Sequence, residues 1–160
     1  MQPSSARLAL DSVDHQILGM LQHDADATNK AMAVRLGLAE STCAYRVRQL
    51  REKGIIQGSR VMLDLALLGY PLQAMITVRL GSHNQALVKE FFDAIIMTPR
   101  VLQVFHVAGS ADFLVHVAVA DAAALRDIVL ERITVHDVVR ATETQLVFER
   151  RDGAGVVPPL

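Results

Sequence analysis

The chain has 160 residues, 51% hydrophobic but only 4% aromatic, with 16 Lys and Arg against 17 Asp and Glu and a single cysteine, Cys43. That is enough for one ordinary domain or two small ones, and it excludes a disordered chain, a polycation spread over the whole length, an internal disulfide framework and a multi-cysteine zinc site. No apolar run reaches the roughly 18 residues of a membrane span, and the opening MQPSSARLALDS lacks the regions of a secretory signal, so a cytoplasmic location is expected.

In chain order, residues 1–10 read as a weak tail. Val13, Ile17, Leu18 and Leu21 then lie on one helical stripe, with Asp11 or Ser12 able to cap it. His23 to Ala27 is a polar break. Thr28 or Asn29 can cap a short second helix carrying Met32, Ala33 and Leu36, and Gly37 stops it as a glycine just past a helix end does. A third helix runs from about Ser41 to Lys53 and ends at Gly54, and Ile55–Leu63 alternates loosely as one or two short strands. After Gly69-Tyr70-Pro71 the pattern becomes strand-like at 72–80, 101–108, 113–119 and 138–148, with helical stretches at 84–96 and 122–133 between them. The order β-α-β-β-α-β is that of a ferredoxin-like fold, and 151–160 forms a second tail.

An antiparallel sheet with one wet face alternates apolar and polar residues, yet Phe113–Val119 (FLVHVAV) does not and Leu72–Leu80 barely does. Helices cover only one face of such a sheet. The other is expected to be covered by a second copy, making a homodimer through this domain; burial against the N-terminal helices is the competing reading.

Residues 29–50 have the spacing of a helix-turn-helix, with small Ala33 where the helices cross and Gly37 in the turn. On the second of these helices Cys43, Val47 and Leu50 share a narrow arc that is expected to be buried. The opposite arc carries Ser41, Tyr45 and Arg48, flanked by Thr42, Ala44 and Gln49. Hydroxyl, phenol, guanidinium and amide groups suit base edges in a major groove, whereas Arg46, Arg51, Lys53 and Arg60 suit phosphates. Residues 41–60 hold five Lys and Arg and one Glu, net +4, while 65–160 is net −2. A solvated helix face explains an isolated basic stretch equally well. Here the charge coincides with the outward face of a helix-turn-helix, which favours double-stranded DNA as partner, with strong salt dependence and two subunits on one duplex.

These residues resemble the leucine-responsive regulatory protein/AsnC family, the feast/famine transcriptional regulators of bacteria and archaea. The resemblance rests on LDSVDHQILGMLQ at 10–22, LGLAEST at 36–42, RVRQLREKGIIQG at 46–58, VMLDLALLG at 61–69, VAGSADF at 107–113 and TET at 142–144. It implies an α+β chain: a winged helix-turn-helix at 8–58, a β linker at 59–71, a ferredoxin-like effector-binding and dimerisation (RAM) domain at 72–150, and a tail at 151–160. It also implies dimers assembling into tetramers or octamers, and an amino acid or related effector that changes assembly or DNA affinity. Three positions depart from the family pattern. Ala39 replaces a capping serine, so the cap passes to Ser41 or is lost at a cost of about 1 kcal/mol. Cys43 stands where valine is common and reads as a small buried hydrophobe, and Ser59 replaces a tyrosine.

The turn Gly109-Ser110-Ala111-Asp112 is either a plain tight hairpin or an amino-acid clamp. In the clamp, Asp112 accepts from an α-ammonium group, the backbone N–H groups of Gly109–Ala111 hold the carboxylate, and Thr142 and Thr144 add hydroxyls; the resemblance places the effector there. Counting outward from this turn, His106 and His116 are expected to face each other across two strands, without the third ligand a metal needs. No metal, cofactor or catalytic residue is expected, since no nucleophile–base pair or phosphate loop is present. The leading function is a sequence-specific DNA-binding regulator with an amino-acid effector. The alternatives are an effector-binding oligomer with weak or vestigial DNA binding, a regulator without an effector, and an enzyme on a ferredoxin-like scaffold.

Overall fold

The computed structural model describes residues 9–82 and 84–157. The expected domain start at residue 8, most of the first tail and the last three residues of the second lie outside the described residues. The chain divides into two compact units, residues 1–62 with 151–160, and residues 63–150.

The first unit has three helices, α1 (Ser12–His23), α2 (Asn29–Leu36) and α3 (Glu40–Glu52). Asp11, not Ser12, caps α1: its Oδ1 accepts from Asp14 N at 2.8 Å while its own N donates back to Asp14 Oδ2. This reciprocal pair satisfies two amide donors that the helix cannot use. Thr28 caps α2 through Ala31 N. Gly37 ends it in the left-handed conformation at φ 65°, and Leu38 N returns to Ala33 O at 2.9 Å. Burial of Ile17, Met20, Met32, Ala33, Cys43, Val47 and Leu50 joins the three helices; each large apolar side chain removed from water contributes roughly 1.5–3 kcal/mol.

The second unit follows the expected β-α-β-β-α-β order: β1 (Leu72–Leu80), α4 (Gln85–Ile96), β2 (Val101–His106), β3 (Phe113–Val119), α5 (Ala122–Ile128) and β4 (Val139–Val147). A π-helical turn over Val129–Ile133 extends α5. The sheet is antiparallel with order β2-β3-β1-β4, the ferredoxin-like arrangement. Ala74, Ile76 and Val78 of β1 and Phe113, Val115, Val117 and Val119 of β3 form one face and pack with Phe91 and Ile95 of α4 and Leu125 and Ile128 of α5.

Two expectations are corrected. First, no strand forms in 55–63 or in the 59–71 linker among the described residues. A strand needs a hydrogen-bonded neighbour, and none lies beside this segment among the described residues of this chain. Instead Asp64 Oδ1 accepts from Ala66 N and Leu67 N, both at 3.0 Å, and starts a single turn closed by Tyr70 N on Leu65 O. A local side-chain cap has replaced a ladder.

Second, His106 and His116 do not face each other, because the hairpin folds between Gly109 and Ser110, with Val107 N on Asp112 O, and so pairs His106 with Phe113 and His116 with Gln103. His106 stacks on Phe113 at 4.5 Å. His116 donates from Nε2 to Gln73 Oε1 at 3.0 Å.

The unbroken apolar run of β3 also has a reason within the sheet. It is a central strand, and within one chain His116 and Ala118 on the face away from α4 and α5 are already 3% and 2% exposed. The neighbouring positions on that face of β1 are Gln73, Met75, Thr77 and Arg79, a mixed surface rather than an apolar one.

Burial, and secondarily the charge of Arg150, holds the His116 imidazole below the ordinary histidine value of 6.5. The folded state then resists a proton that the unfolded state accepts. The stabilisation is complete above 6.5 and is lost as the pH falls from there through the lowered folded value. His116→Gln is expected to flatten this acid-side decline, read from denaturation midpoints between pH 7.5 and 5; an identical decline in the variant would show that another group controls it.

Candidate DNA-reading helix and effector turn

The buried arc of α3 is the expected one: Cys43, Val47 and Leu50 seal the three-helix core. Desolvation raises the Cys43 thiol above its ordinary value, which keeps it protonated and a poor nucleophile. The helix begins at Glu40 with Ala39 at the cap position and no side-chain cap bond. The capping function is therefore lost rather than passed to Ser41, and the helix does not start late.

Ser41, Thr42, Tyr45 and Arg48 are exposed, with Ala44 and Gln49 half-buried beside them. The Arg48 guanidinium carbon lies 5.5 Å from the Tyr45 ring centroid, and its Nε is 3.9 Å from Glu52 Oε1. Gln49 donates to the other Glu52 oxygen at 2.7 Å. Glu52 thus tethers two candidate base-reading groups. Exposed pairs at this spacing are worth only about 0.3–0.5 kcal/mol, so a DNA base can displace the carboxylate cheaply.

Arg46 is a correction. Its Nη1 lies 2.6 Å from Asp11 and 2.9 Å from Asp14, so it closes the capping box of α1 instead of facing a phosphate. The Asp14 backbone bond, then Arg46, hold the Asp11 carboxyl below its ordinary value. The pairing depends on three-dimensional proximity across about a third of a hundred residues of chain, which no spacing rule reports. Arg51, Lys53 and Arg60 remain exposed and available to phosphates.

In the second unit, Gly109 has φ 138°, a value open chiefly to glycine. Gly109 and Ser110 are exposed, Ala111 is buried and Asp112 is half-buried. Asp112 is woven into the sheet end: its carboxylate accepts from Leu80 N at 2.7 Å, its N donates to Val78 O, and its carbonyl accepts from Val107 N. Thr142 and Thr144 lie opposite Val78 and Ile76 on the other side of β1. Two strand spacings of about 4.8 Å separate them from the turn, so a single chain assembles the turn but does not bring the threonines into it. Thr142 instead lines a groove of about 290 Å³ with Thr77, Arg79 and Glu143.

A cavity that sequence reasoning missed, about 370 Å³, lies between α4 and the β2–β3 pair. Its walls are Val88, Phe92 and Phe113, with Gln85, Lys89 and His106 at its polar positions. Lys89 is paired with Asp93. The apolar stripe of α4 was visible; that His106 joins it followed only from its pairing with Phe113 in the β2–β3 hairpin.

Comparison with known proteins bears on both units. A profile described as the Lrp/AsnC ligand binding domain matches residues 73–154, and one described as winged helix-turn-helix DNA-binding matches residues 10–57. The chain is 41% identical over 145 residues to the HTH-type transcriptional regulator AldR of Mycolicibacterium smegmatis, covering 91% of this chain and 85% of that protein. It is 35% identical over 144 residues to the leucine-responsive regulatory protein of Rhizobium meliloti, covering 90% and 92%. The crystal structure of the Neisseria meningitidis transcriptional regulator NMB0573 in complex with L-Met superposes with a TM-score of 0.85 at 26% identity, covering 94% of this chain and 97% of that one.

Proposed function

Because this chain belongs to the Lrp/AsnC family of transcriptional regulators, we propose that it reads DNA through the exposed face of α3 and is tuned by an amino acid held at the Gly109–Asp112 turn. The observation that carries the DNA half is the division of α3. One arc, Cys43, Val47 and Leu50, is sealed in the core while Ser41, Thr42, Tyr45 and Arg48 are presented to solvent. Arg51, Lys53 and Arg60 supply phosphate contacts. The protein acts by binding rather than catalysis, needs an effector and no cofactor, and works in the cytoplasm. Among the described residues no helix is long and apolar enough to cross a membrane.

The protein works as a homodimer through residues 72–150, with higher assembly into tetramers or octamers. Phe105 at 43% exposure and Leu146 at 50% lie on the two edge strands of the sheet, apolar surface that a second copy would remove from water.

An amino-acid effector fits the turn because Gly109 to Ala111 present backbone near a carboxylate that is already held in place. Asp112 also fastens β1, so Asp112→Ala would damage the sheet end whether or not a ligand binds. Asp112→Asn keeps an acceptor for Leu80 N and removes the charge an ammonium group needs. Thermal shift against the twenty amino acids is expected to find at least one stabilising ligand for the wild type, and Asp112→Asn to lose that shift while its unliganded melting stays close to wild type. A ligand that stabilises both proteins equally would remove Asp112 from the effector site; no shift with any of the twenty would favour a regulator without an amino-acid effector.

A further inference from the structure

Tyr45, Arg48, Gln49 and Glu52 follow one another at helical spacings of three and four, so they share one stripe of α3. Their side chains form a connected set. The Arg48 guanidinium lies over the Tyr45 ring, 5.5 Å from its centroid, close enough for a cation–π attraction. Arg48 Nε faces Glu52 Oε1 at 3.9 Å. Gln49 donates to Glu52 Oε2 at 2.7 Å and so holds the carboxylate by its other oxygen. Glu52 is the one acidic residue between Ser41 and Arg60.

The edge of the guanidinium that meets Glu52 decides what is left for DNA. Nε is engaged, whereas among the described residues no hydrogen bond or ion pair engages Nη1 or Nη2. Those two nitrogens are a fork that fits the O6 and N7 acceptors of guanine in the major groove. Arg48 can therefore read a base without giving up Glu52. The same carboxylate offsets the positive charge, which disfavours the other use of an arginine at this surface, a phosphate contact that carries no sequence information.

We propose that Glu52 is a positioning residue for sequence reading: anchored by Gln49, it holds Arg48 side-on so that Nη1 and Nη2 meet a guanine. The inference rests on the reading of α3 as the DNA-binding helix and adds the base that it selects. Each tie is weak on its own. Ordering a long side chain in advance nevertheless spares a factor of about two to ten in affinity per subunit. Without Glu52, Arg48 also becomes available to the phosphates of any sequence, so the affinities for selected and unrelated duplexes draw together.

The test uses the full-length protein and a duplex selected by the wild type from a random-sequence pool, with an unrelated duplex of equal length as reference. Single guanines of the selected duplex are replaced by 7-deazaguanine, which lacks the N7 acceptor. One guanine in each half-site is expected to carry a penalty in affinity that disappears in Arg48→Ala. In Glu52→Ala that penalty is expected to fall by about threefold or more, while binding to the unrelated duplex tightens and depends more steeply on salt. Gln49→Ala is expected to lower the penalty in the same direction, by less. Glu40→Ala removes the same charge from the first turn of α3 and is expected to leave the penalty at its wild-type size. A penalty that vanishes in Arg48→Ala but keeps its full size in Glu52→Ala would overturn the positioning role and leave α3 as the reading helix. An equal fall in Glu40→Ala would also overturn it, because charge alone would then explain the effect. If no guanine carries a penalty that depends on Arg48, the assignment of Arg48 to a base has failed, and the inference fails with it.

Discussion

Phe113→Ala is expected to cost the second unit about 3–5 kcal/mol, the range for emptying a fully buried aromatic site. Phe113 opens β3, has no solvent exposure, and is packed on three sides. Phe92 stacks at 5.6 Å between centroids, Phe91 is tilted at 5.3 Å and His106 stacks at 4.5 Å. Truncation loses the transfer energy of the ring, leaves a cavity that α4 and the sheet cannot both move to fill, and removes aromatic pairs each worth about 0.5–1.5 kcal/mol beyond burial. Against a total stability of about 5–15 kcal/mol for a domain, that is a large fraction. The measurement is a lower denaturant midpoint with an unchanged slope. A loss below about 1 kcal/mol would mean that the site collapses or that the ring is not the keystone of this corner. The consequence reaches the proposed effector site, since Gly109–Asp112 directly precede Phe113 in the chain.

Arg48→Ala is expected to weaken binding to the protein's own operator by about 1–3 kcal/mol per subunit, the cost of losing a guanidinium that reads a base edge. At 1.4 kcal/mol per factor of ten this is roughly tenfold to a hundredfold. Folding should be nearly untouched, because Arg48 is exposed and its tie to Glu52 is a weak surface pair. The measurement is a competition gel shift between operator and unrelated duplex at two salt concentrations. A base-reading role lowers affinity for the operator more than for the competitor and so relaxes specificity. Equal weakening on both duplexes, with a shallower salt slope, would move Arg48 to the phosphates. No change on either would remove it from the interface. Arg46 provides a contrast of the same residue type only two positions away: its guanidinium is committed to Asp11 and Asp14 and belongs to folding.

Much of this was legible without coordinates, and the reason differs by residue. The ends of α2 could be read because Thr28 and Gly37 act on their own backbone within a few residues. The buried arc of α3 followed from its helical period, and the β-α-β-β-α-β order from the alternation of periods along the chain. The Gly109–Asp112 turn proposed for the effector was visible as a sequence, but the fastening of Asp112 to Leu80 N was not, because that bond joins residues 32 apart. The facing histidines failed because the hairpin is centred between Gly109 and Ser110, and counting outward from any other centre puts the wrong residues opposite each other.

The amino-acid sequence by itself determined the elements, their order and which side of each helix is apolar, since these depend on caps, turns and periodicities confined to a few residues. Only the tertiary structure decided what each polar group is committed to. It turned Arg46 inward, wove Asp112 into the sheet end and left 55–63 without a ladder within the chain. Hydrogen bonds and ion pairs are short-ranged in space but indifferent to separation along the chain, so their partners are settled only when distant segments meet.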